Sequence, residues 1–183
     1  MNHFDSYLFK VALCVSILIL PCNLFGFQNE PESFRGVRWG TNINVLSDTE
    51  FNDHENETLS IYINTNDRMK IRDAEVKEIK YHFYKGRFFG VRINFIGITN
   101  FYLLKSTFFD LYGKPRITNQ FIEEYYWFGT KVAIMFKYND TNEKGEIFYS
   151  YKPIGEELLN ISTFSSHQAS GYTIPRGLCP ALR

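Results

Sequence analysis

The sequence predicts an α+β fold, in which an antiparallel sheet of about six strands carries one long helix on one face. Two observations support this prediction. Apolar and polar residues alternate in several segments on either side of residue 100, and a period of two is typical of β-strands. Residues 100–112 have helical spacing instead. The expected order is three strands, one helix and three strands.

The three strands before the helix comprise one strand over 59–63 and a hairpin over 78–95. A two-residue loop at Lys85 and Gly86 would scatter the apolar side chains of the hairpin over both faces. We therefore expect a three-residue loop over 84–86, with Gly86 in a left-handed conformation. This register predicts three cross-strand pairs: Tyr81 with Phe89, Ile79 with Val91 and Glu78 with Arg92.

The predicted helix covers residues 100–112. Its apolar stripe is formed by Phe101, Leu104, Phe108 and Leu111. Thr99 or Asn100 is expected to cap its start, because either side chain can accept a hydrogen bond from a free backbone N–H group. Gly113 and Pro115 follow the last turn, in positions where helices end.

Three more strands are predicted after the helix. A two-residue turn at Gly129 and Thr130 would keep the apolar side chains of the next hairpin on one face. It predicts two cross-strand pairs: Trp127 with Val132 and Tyr125 with Ile134. A polar loop over 139–145 and a strand over 147–151 follow, and a short helix is expected near Thr41.

The first 26 residues have the pattern of a secretory signal peptide. Lys10 leads into an apolar run over residues 11–20, which is followed by Pro21 and Gly26. Because a spanning helix needs roughly 20 apolar residues, we expect no stable membrane span. The pattern predicts an exported protein with a periplasmic or extracellular location.

The remaining chain is expected to form a single α+β domain over 27–151 and a loosely ordered tail over 152–183, with one helical turn over 156–161. After removal of the signal peptide, Cys179 is the one cysteine left, so no internal disulfide can form. A domain of this size can bury enough apolar surface to fold without disulfides or metals.

Charged residues are unevenly distributed, although the net charge is zero. Residues 48–57 contain five Asp or Glu residues and no Lys or Arg, whereas residues 68–92 contain eight Lys or Arg and three Asp or Glu residues. The simplest interpretation is an acidic surface loop beside a solvated basic hairpin. The alternative is a basic face that binds a glycan or lipid headgroups. Export and zero net charge argue against a nucleic-acid partner.

The sequence contains no nucleotide-binding loop, metal-ligand spacing or nucleophile and base constellation. His82 is expected on the polar face of the first hairpin, and His54 lies between two acids in a pattern that matches no standard metal site. Glu123 and Glu124 are adjacent, so on a strand they would point to opposite faces and cannot act as an acid–base pair. We therefore expect no catalytic residue, no metal and no cofactor.

Two groups of residues are candidates for binding. The first is a set of aromatic side chains expected on the second face of the sheet: Phe88, Tyr126 and Phe128. The second is Trp39 with Arg35 and Arg38, since tryptophan and arginine are over-represented among the residues that dominate interfaces. Each group also has a structural explanation, because aromatic residues favour strands by themselves and Trp39 would anchor the N-terminal segment to the core.

Two motifs carry a resemblance to known proteins. The segment FRGVRWGT at residues 34–41 and the segment LYGKP at residues 111–115 resemble uncharacterised exported bacterial proteins. The second half of the chain is similar to the small lipoproteins of outer-membrane protein assembly and to β-lactamase-inhibitor-like modules. Those families are binding modules, so the resemblance implies contact with another protein. The chain departs from the lipoproteins because Pro21 precedes Cys22, where lipidation requires a small residue.

These features predict an exported binding module of the cell envelope, with an envelope protein as its partner. Two alternatives stay open. A hydrolase acting on envelope polymers would need two converging carboxylates in a cleft. A small-ligand-binding protein would need an enclosed aromatic pocket.

Overall fold

The computed structural model describes residues 27–46, 49–56 and 58–164. The strands in these residues are β1 (Ser33–Phe34), β2 (Val37–Arg38), β3 (Thr49–Asn56), β4 (Leu59–Asn64), β5 (Lys70–Ile71), β6 (Ala74–Glu75), β7 (Glu78–Tyr84), β8 (Arg87–Ile96), β9 (Arg116–Ile117), β10 (Glu124–Phe128), β11 (Val132–Asn139) and β12 (Lys144–Tyr151). The helices are α1 (Ile98–Tyr112) and α2 (Lys152–Phe164). The short helix expected near Thr41 is a 3₁₀ turn over Ile43–Val45. Within the described ranges, no helix is long and apolar enough to span a membrane.

One large antiparallel sheet dominates the fold, with the strand order β3-β4-β7-β8-β12-β11-β10-β9. Seven of its strands have at least 5 residues, and β9 at one edge has 2. The predicted α+β class with a large antiparallel sheet is confirmed. The expected six strands are wrong, because four long strands rather than three precede α1.

The additional strand is β3, which lies where the sequence predicts an acidic surface loop. It pairs only with β4 and forms the opposite edge of the sheet from β9. An edge strand is held by backbone hydrogen bonds to one neighbour and tolerates charged residues. The acidic composition of this segment therefore does not prevent it from pairing.

The first hairpin, formed by β7 and β8, has a different register from the predicted one. The observed pairs include Ile79 with Ile93, Tyr81 with Val91 and Lys80 with Arg92. The turn has two residues, Lys85 and Gly86, with φ of 48° and 72°. Positive φ at both positions gives the twist that favours two-residue hairpin turns. The predicted three-residue loop is therefore wrong.

A β-bulge in β8 explains the difference. Phe83 pairs with Phe88 and His82 pairs with Gly90, so Phe89 is the inserted residue. One extra residue reverses the faces of all residues that follow it, so Phe88 shares the first face with Val91, Ile93 and Phe95, while Phe89 lies on the second face. The bulge also moves Phe88 to the first face of the sheet, not to the second face where the sequence predicts it.

The second hairpin, formed by β10 and β11, is shifted by two residues from the prediction. The observed pairs include Trp127 with Ile134 and Tyr125 with Phe136. The N–H group of Gly129 donates to the Val132 carbonyl at 2.8 Å, which places Thr130 and Lys131 at the tip of the turn. A shift of two residues leaves each side chain on its predicted face because strands alternate with period two.

The helix α1 is confirmed, with a different start. Gly97 occupies the position before the first turn, and Thr99 and Asn100 both lie inside the helix. The Asn100 side chain accepts a hydrogen bond from the backbone of Glu75 at 2.9 Å, so it joins α1 to β6 and does not cap the helix. Gly113 ends the helix as predicted, at a φ of 76°.

The first face of the sheet packs against α1 and against residues 27–46. Its core is largely aromatic and includes Tyr81, Phe88, Phe95, Phe101, Phe108, Trp127, Phe136 and Tyr149. Phe101 of α1 stacks on Tyr138 of the sheet with ring centroids 4.4 Å apart. Ring contacts of this kind add to the free energy gained from burial alone.

The helix α2 covers one half of the second face. Ile154 packs with Tyr84 and Phe89, while Leu158 and Leu159 lie against Phe148 and its neighbours. The sequence predicts loose order from residue 152, with one helical turn over 156–161. The structure has a helix through Phe164, because burial of one apolar side against the sheet stabilises a segment that is a weak helix former alone.

Two segments with sequence predictions lie outside the described residues. One is the signal-peptide pattern over 1–26. The other is the end of the tail over 165–183, which includes Cys179.

Candidate functional site

An open depression of about 380 Å³ lies at one end of the sheet, beside the N-terminal segment. We call it the Trp39 depression. It is lined by Glu30, Pro31, Glu32, Arg38, Trp39, Thr130, Lys131 and Tyr151. The first five residues belong to the segment around the β1–β2 hairpin, and the others come from the β10–β11 turn and the end of β12. Two distant parts of the chain therefore form one surface.

Trp39 is held firmly in this surface. Its indole N–H donates to the Pro31 carbonyl at 2.7 Å, and its ring stacks on Phe88 with a centroid distance of 4.8 Å and an interplanar angle of 16°. The Tyr151 ring is almost parallel to the indole, at 6.4 Å and 8°. Trp39 remains half-buried, so it anchors the N-terminal segment and also contributes to the solvent-facing surface.

Glu30 ties the N-terminal segment to the β10–β11 turn. Its carboxylate accepts hydrogen bonds from the backbone N–H groups of Thr130 at 2.9 Å, Lys131 at 2.5 Å and Val132 at 2.5 Å. The same turn passes so close to Glu30 that Gly129 has no space for a Cβ atom. Glu30 is therefore a structural acceptor, and its carboxylate is already engaged.

The charged groups left at the rim are Arg38, Lys131 and Glu32. All three are exposed. Together with the two rings they provide an apolar platform bordered by two cations and one anion. Within the described ranges, no group of three or more His, Cys, Asp or Glu residues could hold a metal ion. The geometry of the depression is suited to binding.

Arg35 is directed away from the Trp39 depression. Its guanidinium pairs with Asp67 at 3.0 Å and donates to the Lys70 carbonyl at 2.8 Å. The Tyr81 hydroxyl donates to the same carboxylate at 2.7 Å, and burial together with this carboxylate raises the pKa of Tyr81. Arg35 thus joins the β1–β2 hairpin to the loop after β4, which is a structural role.

The predicted aromatic patch on the second face is not assembled as expected. Phe88 lies in the core of the first face, under Trp39. Tyr126 and Phe128 do lie on the second face, stacked on each other at 5.8 Å and 6°, but they belong to an apolar cluster against which Leu158 and Leu159 of α2 pack. Burial raises the pKa of Tyr126. The helix α2, which forms the start of the predicted tail, therefore covers the cluster that contains these rings.

His82 is buried, whereas the sequence predicts a surface position. It lies edge-on to the rings of Phe89 and Phe148. Burial, with smaller contributions from Arg92 and Lys80, lowers the pKa of His82 to about 3. The imidazole is therefore neutral at physiological pH. The predicted surface position of His82 is wrong because the sequence does not reveal the full helix α2, which shields this part of the sheet.

The two adjacent glutamates are each engaged in separate contacts. Glu123 accepts a hydrogen bond from Lys105 at 3.1 Å and another from the Tyr125 hydroxyl. Glu124 hydrogen-bonds the Tyr126 side chain, on the second face of the sheet. The pair does not converge on a common cleft.

The basic hairpin faces acids of neighbouring strands. On the uncovered half of the second face, Arg92 and Lys137 lie 3.8 and 3.7 Å from Glu146 of β12. Lys80 lies 3.3 Å from Glu78 of its own strand. Each of these bases therefore lies close to an acid on its own strand or on an adjacent one, and partly exposed ion pairs of this kind contribute little stability each. This arrangement favours a solvated surface over a binding face for anions.

Sequence reasoning identified Trp39 and Arg38 but missed Glu30, Lys131 and Tyr151. Lys131 and Tyr151 are distant from Trp39 in the chain, whereas Glu30 lies in the same N-terminal segment, and no local pattern marks any of the three as a neighbour of the indole. No protein-family model, curated protein or solved structure matches the chain. The candidate site is therefore interpreted from its own geometry.

Proposed function

We propose that the protein is an exported binding module of the cell envelope that contacts another protein through the Trp39 depression. One observation supports this proposal most directly. The fold brings Trp39, Tyr151 and Arg38 together on one accessible surface. Tryptophan, tyrosine and arginine are the residue types that most often dominate the energetics of protein interfaces.

The rigidity of the surface also favours binding. Trp39 is stacked on Phe88 and hydrogen-bonded to Pro31, and the adjoining turn is held by Glu30. A preorganised surface loses little conformational entropy when a partner binds. A small ligand would be expected in an enclosed site, whereas this depression is partly open to solvent, which favours the surface of a larger partner.

Export is proposed from the leader pattern in the first 26 residues. Sequencing the N-terminus of the protein recovered from the cells that make it tests this directly. We expect a mature chain that begins near residue 27 and fractionates outside the cytoplasm. A full-length chain retained in the cytoplasm would refute the proposed location but leave the binding surface to be tested separately.

Site-specific photocrosslinking tests the interface. A photoreactive phenylalanine analogue replaces Arg38 in one variant and Phe121 in a control variant. Phe121 is 86 % exposed and precedes β10, whereas the depression lies at the other end of that strand. We expect one discrete crosslinked protein from position 38 and none from position 121. A crosslink from position 121 alone would place the interface elsewhere, and none from either position would argue against a protein partner.

A further inference from the structure

We infer that the Trp39 depression selects a partner segment that is acidic and carries an aromatic or branched apolar side chain. This inference rests on the proposed function, since it names the chemistry of the partner at the same site. It follows from three features of the depression: which charges are available, what its floor is made of and how few neutral polar side chains it holds.

The available charge at the rim is positive. Arg38 and Lys131 are exposed. Of the two lining acids, Glu30 already accepts three backbone hydrogen bonds. Lys152 adds a third cation behind the turn, where its ammonium donates to the Gly129 carbonyl at 2.6 Å. Three cations and two carboxylates thus lie in and beside the depression, and three backbone N–H groups offset the negative charge of Glu30, so a carboxylate of the partner meets a net attraction.

The floor is apolar and aromatic. Trp39 and Tyr151 present nearly parallel rings, and both are half-buried. Phe88 stacks on the indole and the Tyr149 ring lies 6.4 Å from it, so a partner meets the part of the indole that stays exposed. An aromatic or branched apolar side chain gains most from such a platform, because it buries a large area for few restricted torsions.

The depression holds few neutral polar side chains, and the other polar side chains at its rim are the charged Glu32, Arg38 and Lys131. Three lining residues have neutral hydrogen-bonding side chains: Thr130, Tyr151 and Trp39. The indole N–H of Trp39 already donates to the Pro31 carbonyl. A glycan presents several hydroxyl groups, each of which loses free energy when it is buried without a partner. The carboxylate of an acidic peptide segment, by contrast, is attracted to the rim cations Arg38 and Lys131.

A library of random short peptides, displayed on phage and selected on the immobilised full chain, tests the inference. Before selection, the library is depleted on an Arg38→Glu, Lys131→Glu double variant, so that phage that bind other surfaces are removed. We expect the enriched peptides to be net acidic and to contain an aromatic or branched apolar residue. Individual synthetic peptides are then measured by fluorescence anisotropy.

Three substitutions are expected to change the affinity for those peptides in different directions. Arg38→Glu should weaken binding by about tenfold, as expected for loss of an interfacial charge pair. Glu32→Gln should strengthen it by about twofold, since it removes a repulsive charge from the rim. Arg116→Glu reverses an exposed charge on β9, at the edge of the sheet, and should leave binding unchanged.

The outcomes separate this inference from the proposed function. Enrichment of basic or neutral peptides, or weaker binding by the Glu32→Gln variant, overturns the acidic preference while the binding function stands. Absence of enrichment over the double variant also overturns the inference. If photocrosslinking from position 38 fails as well, the proposed function falls with it.

Discussion

Replacing Trp39 with alanine tests whether this residue anchors the N-terminal segment. The substitution removes the ring that stacks on Phe88 and leaves the Pro31 carbonyl without its donor. Truncation of a fully buried tryptophan costs about 3–5 kcal/mol, so we expect about 2 kcal/mol for a half-buried one. The lost hydrogen bond adds about 1 kcal/mol. A total of about 3 kcal/mol corresponds to a decrease in Tm of about 10 °C in a domain of this size.

Thermal unfolding followed by circular dichroism measures this decrease. Trp39→Phe should retain most of the stacking and lose the hydrogen bond, so we expect a decrease of about 1 kcal/mol. Val45→Ala serves as the control, because Val45 is 74 % exposed and its truncation should leave Tm unchanged. If the Trp39→Ala variant has the Tm of the unmodified protein, the anchoring role is refuted. Contact with a partner would then be the remaining role of the indole.

Three further predictions follow from the core, the buried histidine and the contacts of α2. A Cβ atom at Gly145 would overlap the Phe95 ring, so Gly145→Ala should lower the free energy of unfolding by about 1–3 kcal/mol in urea titrations. Adding Phe95→Leu to the same chain should recover part of that loss. If the losses of the two substitutions are strictly additive, the overlap is contradicted. The pKa of His82 is about 3 in the folded state and near 6.5 in the unfolded state, so between these pH values the unfolded state binds one more proton. The free energy of unfolding should therefore fall by about 1.4 kcal/mol per pH unit as pH is lowered from about 6.5 towards 3. His82→Gln should remove this component of the pH dependence. Hydrogen bonds from Arg87 and Lys85 lower the pKa of Glu157, so its stabilising contribution is present above about pH 4.3 and is lost below it. Glu157→Gln should speed amide exchange in α2 at neutral pH, and unchanged exchange would show that the apolar contacts alone hold the helix.

The elements that the sequence predicts well are those whose pattern is local. The α1 stripe and its Gly113 end follow from helical spacing and from the conformational freedom of glycine. In the β10–β11 hairpin, the predicted register is displaced by two residues but every side chain is on the correct face. Alternation reports the face of a residue and not its exact partner, since any even displacement preserves the face.

The β7–β8 hairpin is mispredicted because a bulge has no signature in the alternation. Phe88 and Phe89 are adjacent and identical, so the sequence does not show which of them is inserted. The structure places Phe88 under Trp39 and Phe89 under α2. A candidate binding residue on the second face thereby becomes part of the core.

The second face illustrates a different limit. The segment that forms α2 contains Pro153 and Gly155 and begins directly after β12, so its local pattern favours loose order. Its helix is stabilised by burial against the sheet and by Glu157, which bonds Lys85 at 3.1 Å and Arg87 at 2.5 Å. These partners are distant in the chain, and no sequence window contains both sides of the contact.

Local sequence patterns were enough to predict the α+β class, the position of α1, the faces of the second hairpin and two residues of the candidate site, Trp39 and Arg38. Each of these depends on periodicity or on the chemistry of single residues, which are properties of short segments. The tertiary structure decided the edge strand β3, the bulge, the cover supplied by α2 and the presence of Tyr151 and Lys131 beside Trp39. These depend on which distant segments are packed together, and that is decided by burial summed over the whole core.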